Sequence, residues 1–408
     1  MRCKRNTLPS VLLAILSALG ILVGLLIVGL SIAGAFYLKN DTLTLSPPDG
    51  FSIFTISFLA LATCIINFFT LSASLKYIRK KPGIRLRNPK YFVFLIVGFL
   101  WIISLIAGYF TSGKSNLFLV FAFITTLAVI FPVWLLVMLA RSGLPRSTFQ
   151  RELGTLTIGL LISPMIIITL EIIAIIIIGV GVVFALGLRN QFPVQLIEVF
   201  TSLSASSNGL EGVENALIDL MRDPLIAAAA FLALGLVAPM IEEIFKPMAL
   251  WLLLNRPLRD DEGYTLGLIS GGAFALLESA GMIIQISPEN WLTAVILRSG
   301  TGVLHIGLSG LVGFGLASSK RLRKPGRGIS FVLLAGGLHG LWNSLALFSG
   351  LASFPAMDTI GGNQINMGSI IAITLMGLVF VFVIILNIFI NRYLRRQQIF
   401  QPLTGNLR

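Results

Sequence analysis

Of 408 residues, 56% are hydrophobic and only 12% are charged, and the mean hydropathy is +0.93. Soluble domains carry about 25% charged residues, and runs such as Val11–Leu38 and Gly368–Ile390 exceed the roughly 20 apolar residues that cross a bilayer. A string of soluble domains, disorder, collagen-like repeats and a disulfide-stapled secreted fold are thereby excluded, and the two cysteines (Cys3 and Cys64) provide no metal site of their own.

Ten spans are predicted in chain order, near 11–37, 51–75, 91–110, 117–140, 155–187, 225–255, 264–286, 291–319, 329–349 and 368–390. Helix is the reading for each, since barrel strands are short and alternate polar with apolar residues, which gives an all-α polytopic membrane protein. The first span follows Arg2, Lys4 and Arg5 but is too long for a signal-peptide core, so it is expected as an uncleaved anchor. Residues 1–190 form an N-terminal membrane region of five helices with no motif. Residues 191–224 form an outside loop carrying Glu198, Glu211, Glu214, Asp219 and Asp223. Its apolar Val194, Ile197, Phe200, Leu217 and Met221 recur at helical spacing, which predicts short amphipathic helices on the outer surface. Residues 225–350 hold a four-helix core, and 351–408 the last helix and a basic tail.

Basic residues settle the expected orientation. Placing 1–10, 76–90, 141–154, 256–263, 320–328 and 391–408 inside puts 24 of the 30 there, with both termini cytoplasmic. The net charge of +13 then reports topology and implies no nucleic-acid partner. The loop 76–90 also suits anionic headgroups, so membrane lipids are expected partners.

Ionisable groups inside spans cost about 2.5–3.5 kcal/mol each at the bilayer centre, which makes them the candidates for chemistry. Four successive spans carry them: Glu242, Glu243 and Lys246; Glu278 in Phe274-Ala-Leu-Leu-Glu278; His305; and His339 with Asn343. Both histidines of the chain are in this set. At about 1.5 Å of rise per residue, Glu243, Glu278, His305, His339 and Asn343 lie roughly 16–22 Å from the cytoplasmic helix ends, in one layer slightly beyond the midplane. Glu242 and Glu243 are one turn from Lys246, as His339 is from Asn343. Pro247 and Pro239 deprive the carbonyls of Glu243 and Gly235 of their helical donors. The next three spans are rich in glycine, which would let backbones close around a compact polar cavity. Glu171 has no companion motif and reads as structural or as channel lining. Arg298, about 33 Å along its helix, is expected to snorkel to the outer surface.

Two carboxylates, two imidazoles and an amide suit hydrolysis. Glu243 or Glu242 would deprotonate water, and His339 with Asn343, or His305, would stabilise the oxyanion. A metal variant binds a divalent ion such as zinc through His305, His339 and Glu243. No His-Glu-x-x-His, Gly-x-Ser-x-Gly or Walker-type motif is present. A proton-coupled transporter or channel using the glutamates as relays, and a non-catalytic membrane scaffold, are the competing readings.

Glu242-Glu243-x-x-Lys246, Phe274-x-x-x-Glu278, His305 and His339-x-x-x-Asn343, in this order over about 225–350, resemble the PrsW-type intramembrane proteases. These are distant relatives of the type II CAAX prenyl proteases, which have Glu-Glu-x-x-x-Arg and Phe-x-x-x-His instead. The resemblance implies an endopeptidase of a bacterial-type cell membrane, cutting a membrane-anchored protein such as an anti-sigma factor on the outer side. It implies that Lys246 tunes the glutamates and that Glu278 and His305 position water or metal.

Overall fold

The computed structural model describes residues 7–40, 47–79, 88–188, 221, 223–254, 256, 258–352 and 367–400. Among these there is no strand, and ten helices are long and apolar enough to cross a membrane. The protein is an integral, multi-pass, all-α membrane protein, as its hydropathy predicts. The helices expected over 191–224 fall almost wholly outside the described residues.

Helices α1 (Leu8–Asn40), α2 (Pro47–Ile78), α3 (Tyr91–Thr111), α4 (Phe118–Ala140) and α5 (Phe149–Leu188) come first. The sixth span is broken into α6 (Pro224–Leu232), a π turn (Ala233–Val237), α7 (Ala238–Phe245) and α8 (Met248–Leu253). Then follow α9 (Asp260–Ile283), α10 (Trp291–Leu322), α11 (Pro325–Ala352) and α12 (Met367–Phe400). The chain divides into two units. Unit one is Met1–Pro164, Lys246–Phe331 and Val383–Arg408, and unit two is Met165–Phe245 and Val332–Phe382.

Unit one is organised by α9 and α10. Gly263, Gly267 and Gly271 recur every fourth residue and so line one face of α9. A Cβ on Gly271 would collide with the carbonyl oxygen of His305, and one on Gly267 with that of Ser309. From the other side, a Cβ on Gly313 would meet the carbonyl of Gly263. The two backbones therefore touch with no side chain between them, as small-residue stripes allow in lipid. Gly271→Ala is expected to push α10 away, cost about 1–3 kcal/mol and lower the melting temperature in detergent; an unchanged melting temperature would refute backbone contact there.

Trp291 opens α10 and is fully buried, donating from Nε1 to Thr125 Oγ1 at 3.0 Å. Its ring packs on Phe121 at 5.3 Å, which stacks on Phe51 at 4.6 Å, so one aromatic cluster ties α10 to α4 and α2. At the start of α9 the acidic run Asp260-Asp261-Glu262 is buried. A helix N-terminus favours anions. Arg321 pairs with Asp260 at 2.7 Å, Arg259 with Asp261 at 3.0 Å and Arg151 with Glu262 at 2.7 Å. The segment 256–263, placed inside by its two arginines, thus holds an ion-pair network that fixes the beginning of α9.

Unit two is built on the irregular sixth span. Pro239 has no N–H to offer the carbonyl of Gly235, and the preceding turn widens to π spacing, with Ala238 N–H reaching the carbonyl of Ala233. Helix α11 covers this break. Gly340 leaves no room for a Cβ against the Gly235 carbonyl, and Gly336 none against the Met240 sulfur. Asn343 Nδ2 donates to the carbonyl of Leu234 at 3.3 Å. Single π turns in helices recur at functional sites.

Candidate active site

The seven expected residues fall into two clusters, one in each unit. In unit two, α7 presents Glu242 and Glu243 and α11 presents His339, all buried, with Glu243 at 0% exposure. His339 Nδ1 is 3.1 Å from Glu243 Oε1 and 3.9 Å from Glu242 Oε2. One imidazole therefore faces both carboxylates, at hydrogen-bonding distance only to Glu243. Asn343, one turn beyond His339, is half-buried and uses one amide N–H on the π turn.

In unit one, the cluster begins at Lys246, where the helix breaks before Pro247. Its carbonyl accepts hydrogen bonds from the hydroxyls of Ser270 and, at 3.4 Å, Ser163. Its ammonium is fully buried, 2.9 Å from His305 Nδ1 and 4.3 Å above the Phe274 ring. Phe274 turns its edge to His305, with ring centroids 5.4 Å apart. On the far side of the imidazole, Nε2 is 2.6 Å from Glu278 Oε2. An ammonium has only donors. Nδ1 of His305 must therefore accept from Lys246, and Nε2 carries the proton given to Glu278.

Arg298 completes this row, and its place corrects the sequence reading. Instead of snorkelling to the surface, it sets NH2 2.7 Å from Glu278 Oε2, with its side chain 13% exposed. It lies seven positions before His305, two helical turns, so both project from one face of α10. The half-buried Glu278 carboxylate offers the guanidinium a charge-assisted partner, which binds it more strongly than interfacial water does. The two-turn spacing was the signal that could have found it. Arg298→Gln is expected to lower the rate of cleavage about 10–100-fold, the range seen for partners that orient a site's own groups. The fall should lie in kcat, with KM and the melting temperature little changed; a change confined to KM would give Arg298 a substrate-binding role.

Glu171 lies in unit two, half-buried on α5.

The model of one protein family, described as PrsW family intramembrane metalloprotease, matches residues 169–386, just over half of the chain. The match contains all seven candidate residues and Arg298. It also reaches past the stretch that the motifs cover, into α5 with Glu171 and into α12. No curated protein and no solved structure matches the chain.

Proposed function

Since the chain belongs to the PrsW family of intramembrane metalloproteases, we propose that it cuts a membrane-anchored protein within the outer half of the bilayer, with Glu243 as general base. The observation that carries this reading is the fully buried Glu243 carboxylate held 3.1 Å from His339 Nδ1. In the proposed reaction, water attacks the scissile carbonyl and Glu243 takes its proton. Glu243 then returns that proton to the departing amine as the C–N bond breaks, leaving a carboxylate and an amine. His339 orients the base, and the second N–H of Asn343 faces the developing oxyanion.

The family description implies a metal. In unit two, Glu242 and His339 are donors that would hold it, and a carboxylate with an imidazole suits a zinc-type ion. Sequence reading put Glu243 in this set. Glu242 replaces it in the proposal, because its 3.9 Å from His339 suits two ligands of one ion better than a hydrogen bond. His305, the other imidazole expected as a ligand, lies in unit one with Lys246 at Nδ1 and Glu278 at Nε2. Such an ion supplies Lewis-acid polarisation and a more acidic water. The proposed substrate is a single-span protein, such as one of the anti-sigma factor type. The proposed orientation has both termini in the cytoplasm, on the strength of the basic-residue bias.

The test uses purified protein in detergent with a single-span reporter. A chelator should abolish cleavage and one equivalent of zinc should restore it. Cleavage that persists after metal analysis shows the protein to be metal-free would overturn the donor set. Proton flux in liposomes without any proteolysis would replace the protease by a transporter.

A further inference from the structure

Unit one contains a cavity of about 700 Å³, none of whose lining residues belongs to either cluster. Its wall is apolar, with Leu12 and Leu16 from α1, Ile158 and Ile162 from α5, and Met248 and Leu252 from α8. Its rim is cationic, formed by Arg146, Arg151, Arg256 and Arg259, with Glu262 the one acid in the lining. Three of these arginines already hold a carboxylate: Arg146 pairs with Glu152, Arg151 with Glu262 and Arg259 with Asp261. Those pairs aim the guanidiniums without using them up. A guanidinium has five donors, and the side chains of Arg259 and Arg151 remain 53% and 28% exposed. Four arginines against one acid make the cavity's lining positively charged.

The wall continues onto a lipid-facing surface, because Leu8 and Leu12 line the cavity and are 60% and 57% exposed. The rim lies where residues 141–154 and 256–263 meet, the segments that charge bias assigns to the cytoplasmic side. A cationic rim above an apolar wall complements an amphiphile with an anionic head. We propose that this cavity is a binding site for an anionic phospholipid of the cytoplasmic leaflet. The phosphate sits among the four arginines, as planar guanidiniums favour, and the acyl chains run over Leu12 and Leu16. The site is independent of the catalytic reading. It also places the lipid against α8, which starts two residues after Lys246.

The test uses the full-length protein in phosphatidylcholine nanodiscs doped with phosphatidylglycerol carrying a diazirine in its acyl chain. Adducts mapped by mass spectrometry should fall on peptides covering 8–16, 155–162 and 248–253. Removing Arg256 and Arg259 together (Arg256→Gln with Arg259→Gln) should cut adduct yield about fivefold per arginine, the effect of one basic residue at an anionic surface. Leu12→Trp, a change at an exposed position, should block the wall and remove the adducts while leaving every charge in place. It decides the matter if the arginine variant does not fold. Equal labelling by a diazirine phosphatidylcholine would overturn the proposal, as would labelling unchanged in Leu12→Trp. Displacement of the lipid by millimolar inorganic phosphate would also overturn it, making the rim a site for free anions.

Discussion

Glu243→Gln is expected to lower kcat/KM for a single-span reporter by about 10²–10⁴-fold, the contribution of a positioned general base. In barrier height that is roughly 3–5.5 kcal/mol. Glutamine keeps the shape of the side chain and still sets an oxygen against His339, 3.1 Å from the carboxylate in the native protein. It cannot take a proton from water. Because the substitution removes a buried charge without removing volume, the variant should fold, and its melting temperature in detergent should be at or above the native value. Loss of activity with an intact fold therefore isolates proton transfer. Cleavage by Glu243→Gln within about threefold of native, far inside the range expected for a lost base, would end the glutamate mechanism. Should Glu242→Gln alone produce the large loss, with metal binding intact, the base and ligand roles of the two glutamates would have to be exchanged.

Glu152→Ala is expected to destabilise unit one by about 3–5 kcal/mol, the cost of stranding a buried partner charge. Arg141 has a side chain only 2% exposed and bonds Glu152 Oε1 at 2.8 Å. Burial pushes the Arg141 guanidinium below its ordinary pKa, and Glu152 works against that shift. Arg146 also binds Glu152. Arg146 is less buried and can turn to water when the carboxylate goes, whereas Arg141 cannot. The double replacement Arg141→Met with Glu152→Leu should recover most of the loss, because apolar side chains of similar volume substitute well for a buried ion pair. Thermal unfolding in detergent reads both variants. A Glu152→Ala protein that melts with the native one would mean that water reaches Arg141, and the pair would then count as a surface bridge.

Ten spans, the all-α class and the set of intramembrane polar residues were legible from the sequence. Lipid makes each of these a property of single residues or short windows. An apolar run of sufficient length must be a helix, and a glutamate within it must have a reason to be there. The order of Glu242, Glu243, Lys246, Glu278, His305, His339 and Asn343 along four helices was enough to suggest the family that matches residues 169–386.

Which of these residues meet was decided by tertiary structure. Arg298 reads as a surface anchor by depth alone, yet it pairs with Glu278, because its direction around α10 depends on how α9 and α10 face each other. That facing is set where Gly263, Gly267 and Gly271 of α9 meet the backbone of Gly313, Ser309 and His305. The proline pair forecast an irregular sixth helix, but the π turn, and Asn343 spending an amide proton on Leu234, depend on α11 lying over the break. The acidic run at 260–262 reads as part of a short connecting loop until Arg321, Arg259 and Arg151 reach it from three places in the chain. Hydropathy measures one residue against its solvent and can be read along a line. A contact needs two helices, with a rotation for each about its own axis, and close packing between them is what fixes those rotations.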